Sequence, residues 1–324
     1  MKRVLITGAS GFVGYHLIDA AVKQGYEVFA AVRRASKVDH LKSLPISFTF
    51  LNFENVTSLE KEIKEKKYNY IIHAAGITKA GNKEKYETVN AVYTFNLASA
   101  VKKSGVELQK FVFVSSLSAI GPKTTGIDSE LKPTPVTAYG ESKLLAEHHL
   151  SAFDLPILTI RPTAVYGPRE RDIFLMLKAI SQGYEVYIGK NPQHLTFIHA
   201  ADLAEVAIRL LQSPFIHKTY NLTDGFSYDR YALSNIAKEV LEKKTLKVHL
   251  PVGVVKIVAG FLEGMSLING KTPALNRDKL KELTADNWHY EIEEIKRDIG
   301  FSPSFNLKEG LRQTLQWYQK NKWI

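Results

Sequence analysis

The stretch that decides the fold stands at the start of the chain, where residues 4–14 read VLITGASGFVG. An apolar run ends in glycines at three-residue spacing, and apolar residues with helical periodicity follow from Tyr15 to Val22. In such a strand–turn–helix unit, Gly8 lets the backbone turn sharply, Gly11 lets a pyrophosphate approach, and Gly14 lets the helix pack on the strand. Free N–H groups at the helix N-terminus then face the phosphate charge. This context predicts a dinucleotide-binding turn, with an ordinary strand–helix turn as the alternative.

The first 160 residues go on alternating apolar β-rich runs with amphipathic helical stretches, which is typical of a parallel sheet covered on both faces. The predicted strands are Arg3–Thr7, Glu27–Val32, Ser47–Leu51, Tyr70–His73, Phe111–Ser115 and Ile157–Arg161. The predicted helices are Gly11–Gln24, Thr57–Lys66, Lys83–Lys103 and Thr137–Ser151. The pattern therefore predicts an α/β fold with a Rossmann-like, doubly wound parallel sheet, and such sheets bind ligands beyond the carboxyl ends of their strands.

After Arg161 the apolar runs become more widely spaced, which indicates a smaller C-terminal lobe. The helix Ala200–Gln212 and the strand Thr219–Leu222 are expected to return to the main sheet. We therefore predict a dinucleotide-binding domain in residues 1–161, to which residues 200–224 return. Residues 162–199 and 225–324 are predicted to form the smaller, substrate-binding lobe.

Composition excludes several kinds of chemistry. The 324 residues are 45% hydrophobic, enough for a large core, and they include no cysteine. Disulfides, thiolate metal sites and cysteine nucleophiles are therefore excluded. The apolar run at the N-terminus breaks at Gly8, too soon for the core of a signal peptide. These observations favour a cytoplasmic protein.

The longest apolar stretch, Pro251 to Ile268, is interrupted by two charged residues and two glycines, at Lys256, Glu263, Gly260 and Gly264. It falls short of the roughly 20 apolar residues that span a bilayer. We predict a packed helix here rather than a membrane contact, and no membrane partner.

The net charge of +10 raises the question of an anionic partner. Residues such as Lys61–Lys67 mix both signs, as on a solvated helix face, and no basic stripe with interleaved aromatic residues follows. His16 and the pair His148 and His149 have no partners at metal-ligand spacing. We therefore predict a small-molecule substrate, no nucleic acid and no metal.

The end of the second strand indicates which dinucleotide is bound, because an acidic side chain there accepts from a ribose 2′-hydroxyl whereas arginine accommodates a 2′-phosphate. Residues 30–34 read AAVRR and contain no carboxylate. The guanidinium groups of Arg33 and Arg34 suit bidentate phosphate contacts, although two solvated loop arginines are the alternative. The sequence favours NADP(H), with NAD(H) possible.

Tyr139 and Lys143 lie four positions apart in a predicted helix and therefore share one face. A free phenol has a pKa of about 10, and a nearby ammonium favours the phenolate and brings it into range as a base. Such pairs are common on ordinary helix surfaces. Here, however, Ser116 directly follows the predicted strand Phe111–Ser115, and its hydroxyl could hold the substrate oxygen that exchanges a proton with Tyr139. Ser118 is a second candidate for that role.

Together these motifs resemble those of the extended short-chain dehydrogenase/reductase family, also called the NAD(P)-dependent epimerase/dehydratases. The resemblance covers most of the chain. The matching segments, in order, are Thr7–Gly14, His73–Gly76, Tyr86–Asn90, Phe113–Ser116, Tyr139–Lys143, Arg161–Pro168, and Phe197–His199 leading to Asp202.

The resemblance implies a role for each matching residue. The implied catalytic residues are Ser116, Tyr139 and Lys143. The cofactor-binding residues predicted from the motifs and the resemblance together are Gly8, Ser10, Gly11, Phe12, Val13, Gly14, Arg33, Arg34, Asn52, Ala74, Ala75, Gly76, Asn90, Ser115, Tyr139, Lys143, Pro162 and Thr163. The implied substrate-binding residues are Thr78, Ser116, Ser118 and Ala164. Asn52 departs from the aspartate that the family usually has near the adenine, but an amide can also hydrogen-bond that base.

The resemblance also implies an activity: hydride transfer between a nicotinamide and a carbonyl or secondary alcohol, with Tyr139 as acid or base. A sugar or nucleotide-sugar epimerase or dehydratase, which returns the hydride internally, uses the same residues. A non-catalytic NADP(H)-sensing protein is a further alternative.

Two positions bear on the substrate. Family members that act on nucleotide sugars usually carry an asparagine where this chain has Ala164, and an arginine near Leu195. The segment Arg161–Pro168 looks more like that of the reductases and hydroxysteroid-type dehydrogenases. The resemblance further implies a homodimer through the helices Lys83–Lys103 and Thr137–Ser151.

Overall fold

The computed structural model describes residues 1–123, 132–269 and 276–324, and the backbone only for residues 264–269. The described strands are β1 (Arg3–Thr7), β2 (Glu27–Ala31), β3 (Ser47–Thr49), β4 (Tyr70–His73), β5 (Lys110–Val114), β6 (Ile157–Pro162), β7 (Ala164–Tyr166), β8 (Tyr184–Ile188), β9 (His194–Leu195), β10 (Phe197–His199), β11 (Lys218–Leu222), β12 (Tyr228–Asp229) and β13 (Leu246–Leu250). The described α-helices are α1 (Phe12–Lys23), α2 (Val56–Lys66), α3 (Lys83–Tyr86), α4 (Tyr93–Ser104), α5 (Ala138–Ser151), α6 (Asp172–Ser181), α7 (Ala200–Gln212), α8 (Ala232–Leu241), α9 (Val252–Asn269), α10 (Arg277–Thr284), α11 (Glu293–Ile299) and α12 (Leu307–Lys320).

A seven-stranded parallel sheet forms the centre of the molecule, in the order β11-β6-β5-β4-β1-β2-β3. Val4 of β1, for example, lies opposite Val28 of β2 on one side and Tyr70 of β4 on the other. The chain builds outward from β1 to β3 and then crosses back to start β4 on the other side of β1. This arrangement confirms the predicted doubly wound α/β fold. The strand order reverses between β1 and β4, and ligands bind at the carboxyl ends of the strands at such a point.

The sheet is covered by helices on both faces, which explains why its strands are apolar almost throughout. Val4 and Ile6 of β1 pack in one buried cluster together with residues of α1 and α7. Leu5 points to the other face, into a cluster formed with α2, α4 and α5. Successive strand residues point to opposite faces, so alternate positions of one strand supply both cores.

The predicted elements of the first 160 residues all occur, with small changes at their ends. The third strand is shorter than predicted and ends at Thr49. The predicted helix Lys83–Lys103 is interrupted by a π-helical segment, Glu87–Val92, between α3 and α4. Such segments are often found at functional sites. This one contains Asn90, a predicted site residue.

The later part of the chain forms small sheets and a third apolar cluster. The strands pair as β10 with β7, β12 with β9 and β13 with β8, while β11 joins β6 in the central sheet. The cluster includes Tyr166, Leu177, Leu311 and Tyr318, all fully buried. The predicted assignment of this region to substrate binding stays a prediction.

Helix α9 occupies the apolar stretch for which a packed helix was predicted. Val255 and Ala259 are buried, but Val254, Ile257 and Phe261 on the same helix are exposed. The prediction of a packed helix therefore holds for one face only. Within the ranges that the structure describes, no helix is long and apolar enough to cross a membrane.

Candidate active site

The glycine turn after β1 has the conformation that the sequence predicts. Gly8 has φ +70°, and a Cβ there would lie 2.5 Å from the carbonyl oxygen of Ala74. A Cβ on Gly14 would lie 2.2 Å from the carbonyl oxygen of Gly8. Gly11 is exposed and Ser10 is half-buried. In the described part of the chain, no side chain caps α1 and its first turn holds no acidic residue. The first N–H groups of α1 are therefore available to an anion.

A buried hydrogen-bond relay fixes the segment after β4 against β1. The Ala75 N–H donates to Thr7 Oγ1 at 3.0 Å, and Thr7 Oγ1 lies 2.7 Å from His73 Nδ1. His73 Nε2 lies 2.8 Å from Thr94 Oγ1, which donates to the Asn90 carbonyl at 2.7 Å. Because Thr94 donates to a carbonyl, it accepts from Nε2–H, and Nδ1 accepts from Thr7. Burial lowers the pKa of His73 to about 3, which keeps this neutral tautomer in place.

Asn90 holds the predicted cofactor-lining segment from the other side. Its Oδ1 accepts from the Ile77 N–H at 2.8 Å, and its Nδ2 donates to the Ile77 carbonyl at 3.0 Å and to Ser142 Oγ at 2.9 Å. Ser142 in turn donates to the Tyr139 carbonyl at 2.7 Å. A Cβ on Gly76 would lie 3.0 Å from Asn90 Oδ1, so this approach suits a glycine. Asn90 thus links the segment after β4 to α5.

Ser116 and Tyr139 come together just beyond the carboxyl end of β5. Both are half-buried, and the Ser116 side chain lies close enough to the Tyr139 phenol to lower its pKa. Ser116 Oγ also accepts from the Ser118 N–H at 3.1 Å. A Cβ on Gly140 would lie 2.2 Å from the Ser118 carbonyl oxygen, so Gly140 is what lets α5 lie against this segment. The sequence reasoning missed Gly140, although a glycine in the first turn of a predicted helix was a signal.

The protonation state of Tyr139 differs from the expectation that Lys143 favours its phenolate. Burial raises the pKa of Tyr139 above its usual value, and the contact with Ser116 lowers it by less. The Lys143 ammonium donates instead to the Val114 carbonyl at 2.8 Å and lies 4.7 Å from the centre of the Phe113 ring. The expectation that Lys143 makes the phenol more acidic is therefore wrong for this structure, because its charge is directed to the end of β5. Tyr139 is a neutral phenol at neutral pH.

Lys143 is buried, and burial lowers its pKa to about 8 against the opposing charge of Glu147. Glu147 is a residue that the sequence reasoning missed. It forms an ion pair with Arg161, with 3.0 Å between Arg161 Nε and Glu147 Oε1, and both side chains are largely buried. It also accepts from the Ser115 hydroxyl, so the predicted cofactor contact of Ser115 is directed into the protein. The sequence does contain a signal for Glu147, because Tyr139, Lys143 and Glu147 are spaced four residues apart along the same helix.

The predicted adenine end of the site lies beyond β2 and β3. Arg33 and Arg34 are exposed, and the Arg34 guanidinium lies 4.9 Å from the centre of the Phe50 ring. Asn52 is also exposed, and its side-chain oxygen accepts from the Glu54 N–H at 3.1 Å. The exposed guanidinium and amide groups are therefore accessible to a ligand.

The predicted residues after β6 and near the substrate have mixed environments. Thr163 Oγ1 donates to the Thr196 carbonyl at 3.0 Å, so that its hydroxyl is engaged within the protein. Pro162 is buried, whereas Ala164 and Thr78 are exposed. Ala164 and Thr78 are thus the members of this group that present themselves to a ligand.

Comparison with known proteins places this site in context. The family model described as NAD dependent epimerase/dehydratase family matches residues 4–223. The sterol-4-alpha-carboxylate 3-dehydrogenase (decarboxylating) of Saccharomyces cerevisiae is 26% identical over 97% of both chains. The ceramide reductase of Caulobacter vibrioides is 24% identical over 99% of this chain and 96% of that protein. The UDP-glucose 4-epimerase of Vibrio cholerae is 26% identical over 97% of this chain and 95% of that protein.

Solved structures share the fold. The UDP-glucose 4-epimerase of Thermotoga maritima with UDP-glucose superposes with a TM-score of 0.81 at 20% identity, over 99% of both chains. The dTDP-glucose 4,6-dehydratase of Bacillus anthracis in complex with NAD gives a TM-score of 0.79 at 19% identity, over 99% of this chain and 98% of that one.

Proposed function

The chain belongs to the NAD dependent epimerase/dehydratase family, and we propose that it transfers a hydride between a nicotinamide cofactor and a carbonyl or secondary alcohol. The observation that carries this proposal is the contact between Ser116 and Tyr139 beyond the carboxyl end of β5. The glycine turn lies at the carboxyl end of β1, and parallel strands present these ends at one edge of the sheet. A proton-transfer pair and a phosphate-binding turn therefore lie on the same side of the molecule.

The residues present fit a dinucleotide. The N–H groups of Phe12 and Val13 at the start of α1, beside the exposed Gly11, would hold its pyrophosphate, and the exposed Gly76 would let the cofactor pass closely. Asn52 would hydrogen-bond the adenine. When bound, the nicotinamide supplies or accepts the hydride.

The protein's own groups handle the proton. Tyr139 is neutral at neutral pH, so its hydroxyl donates a proton to the carbonyl oxygen during reduction, while the Ser116 hydroxyl holds that oxygen. Lys143, with a pKa of about 8, exchanges protons near neutral pH one helical turn along α5 from Tyr139, and the phenolate that remains regains its proton before the next turnover. The same residues serve the reverse reaction, in which the Tyr139 phenolate takes the proton of the alcohol.

We propose an apolar alcohol or ketone as the substrate, rather than a nucleotide sugar. Ala164 is exposed and has no polar group to offer a sugar, and Leu195 is half-buried where an arginine would serve a diphosphate. The names of two relatives, a sterol dehydrogenase and a ceramide reductase, support a lipid-like substrate. Other relatives are sugar epimerases and dehydratases, so an enzyme with internal hydride return is the alternative.

The central test follows nicotinamide absorbance with sugars, steroids and long-chain ketones, each with NADP(H) and NAD(H). We expect turnover of a steroid or long-chain substrate by the unchanged chain, and turnover about 10²-fold slower or more by Tyr139→Phe. Retention of the cofactor through dialysis would favour internal hydride return, because a reductase must exchange its cofactor at each turnover. Cofactor binding without turnover of any class would contradict the proposal and support a sensing protein.

We further propose NADP(H) as the preferred cofactor, because exposed Arg33 and Arg34 follow β2 and no carboxylate follows it in their place. The double variant Arg33→Ser, Arg34→Ser is expected to raise the KM for NADP(H) about tenfold or more, with that for NAD(H) changed by less than about twofold. Equal changes for both cofactors would show that the arginines do not read the 2′-phosphate.

A homodimer through α4 and α5 is also proposed. Val92 and Phe95 are exposed, and the Phe95 ring lies 5.4 Å from that of His149 on α5. Val92 ends the π-helical segment and Phe95 lies on α4, so both belong to the helical region that the family resemblance places at a two-fold axis. Sedimentation equilibrium should show a dimer that Phe95→Asp dissociates, and a monomeric unchanged chain would contradict this.

A further inference from the structure

Helix α9 exposes an apolar face to solvent. Val254, Ile257, Val258 and Phe261 are spaced so that they share one side of the helix, and Ile257 and Phe261 are 74% and 67% exposed. On the opposite side, Val255 is 4% exposed and packs inward. The inner face already supplies the packing that holds the helix to the protein. The outer face therefore contributes little to the packing of the helix on the protein.

The two-stranded sheet before α9 exposes apolar residues as well. Leu246 of β13 lies opposite Tyr184 of β8, and Val248 lies opposite Val186, so these side chains share one face. Tyr184, Val186, Leu246 and Leu250 are all exposed. The strand β13 leads through Pro251 directly into α9. We call the eight exposed residues the outer apolar surface: Tyr184, Val186, Leu246, Leu250, Val254, Ile257, Val258 and Phe261. The start of α9 lies against the end of β8, since a Cβ on Gly189 would lie 3.0 Å from Val252 Cγ2. Exposed apolar side chains gathered in this way mark a contact site.

The charges around this surface are basic. Residues 242–263 contain four lysines and two glutamates, Glu242 and Glu263, and Glu263 pairs with Arg277 of α10. Lys243, Lys244 and Lys256 are exposed, and so is Lys190 just after β8. The acidic residue of β8, Glu185, is buried and pairs with Lys238 at 2.9 Å. An apolar surface with lysines at its margins complements an anionic phospholipid bilayer, where side chains enter the headgroup region and the lysines meet lipid phosphates and carboxylates.

The outer apolar surface is joined to the candidate active site. Helix α10 packs on α9 so closely that a Cβ on Gly260 would lie 2.5 Å from the Arg277 guanidinium. The next residue, Asp278, accepts from the Ala138 N–H at 2.7 Å. Ala138 is the first residue of α5 and precedes Tyr139. A membrane bound at α9 would therefore be connected to the Tyr139 hydroxyl through helices α10 and α5.

We propose that the outer apolar surface docks this protein on an anionic bilayer. The contact is peripheral, and it revises the sequence-based expectation of no membrane partner. It also gives the active site access to a substrate dissolved in the bilayer, a consequence that rests on the proposed function.

The experiment is flotation of the full chain with vesicles of phosphatidylcholine and phosphatidylserine, and with vesicles of phosphatidylcholine alone. We expect binding to the anionic vesicles, weakened by salt because exposed charges are screened. Ile257→Ser with Phe261→Ser is expected to lower the partition coefficient about tenfold or more, since two inserting side chains are lost. Ile216→Ser is the matched control: Ile216 is also exposed but lies before β11, away from this surface, and its variant should bind as the unchanged chain does.

Failure of docking and failure of the proposed function give different results. Tyr139→Phe should float with anionic vesicles normally while losing turnover. Absence of flotation, or equal flotation of the Ile257 and Phe261 double variant, would overturn the docking proposal whatever the enzyme assay shows. A concentration-dependent dimer that the double variant abolishes, seen by sedimentation velocity without vesicle binding, would assign the surface to a second copy of the chain and overturn it too. Thermal unfolding of the variants checks that they remain folded.

Discussion

Helices α5 and α9 depart in opposite ways from the rule that apolar side chains are inside and polar ones outside. Helix α5 turns Ser142, Lys143 and Glu147 inward, whereas α9 turns Ile257 and Phe261 outward. Every one of the inward groups on α5 has a hydrogen-bond or ion-pair partner, as burial of polar groups requires. The difference indicates two kinds of function: chemistry inside the protein at α5, and contact with another surface at α9.

The largest loss of stability is expected when the buried charge of Glu147 on α5 is removed. Glu147→Gln leaves the Arg161 guanidinium buried without its counter-charge, so the free energy of unfolding should fall by about 3–5 kcal/mol. Glu141→Gln on the same helix removes an exposed partner of Lys83 and should cost less than about 1 kcal/mol. Urea denaturation of both variants measures the two values. Equal losses would mean that the ion pair to Arg161 is no more important than a surface pair.

The next largest difference between α5 and α9 is expected when a glycine of each helix is replaced by alanine. Gly140→Ala on α5 must move α5 or the Ser118 carbonyl, and we expect a loss of about 3 kcal/mol together with lower activity as Tyr139 is displaced. Gly253→Ala on α9 meets no atom of the described residues within 4 Å and should leave stability unchanged or raise it by up to about 1 kcal/mol. Thermal unfolding and the nicotinamide assay report both. A tolerated alanine at Gly140 would contradict the close approach of α5.

The buried hydrogen-bond relay through His73 should make the stability of the protein depend on pH. The pKa of His73 is lowered to about 3 in the folded protein, so below a pH near 6.5 the unfolded chain binds a proton that the folded protein does not. Stability is therefore lost as pH falls, by about 2 kcal/mol at about pH 5 from this residue. His73→Gln should remove this contribution to the dependence of the free energy of unfolding on pH. His148→Gln, at an exposed position on α5, should retain it, and the same slope in both variants would contradict the assignment.

The smallest effect is expected on the outer face of α9. Ile257→Thr should change the free energy of unfolding by less than about 0.5 kcal/mol, because this side chain packs little on the protein. Val255→Thr, on the inner face, should cost about 1–3 kcal/mol because it buries a hydroxyl. Urea denaturation compares them. A large loss from Ile257→Thr would mean that the outer face stabilises the fold and is not a free surface.

The fold was largely predictable, because it depends on short-range patterns, whereas the roles of the site residues stay a prediction. The glycine spacing in residues 4–14 and the alternation of apolar runs are local, and they predicted the doubly wound sheet. The partners of the site residues were not predictable. Lys143 donates to Val114, and Ser115 to Glu147, through contacts that only the packing of α5 on β5 creates. The exposed face of α9 was missed for the same reason, because an apolar sequence does not say which of its sides the rest of the chain covers.

The central claim is that Tyr139 moves the proton when the hydride moves, and single-turnover kinetics test it most directly. Reduced cofactor bound to the protein is mixed with the carbonyl substrate found in the assay, and nicotinamide oxidation is followed for the unchanged chain and for Tyr139→Phe. We expect the variant to bind the cofactor with the same affinity and to oxidise it about 10²- to 10⁴-fold more slowly. Oxidation at an undiminished rate in Tyr139→Phe would contradict the account.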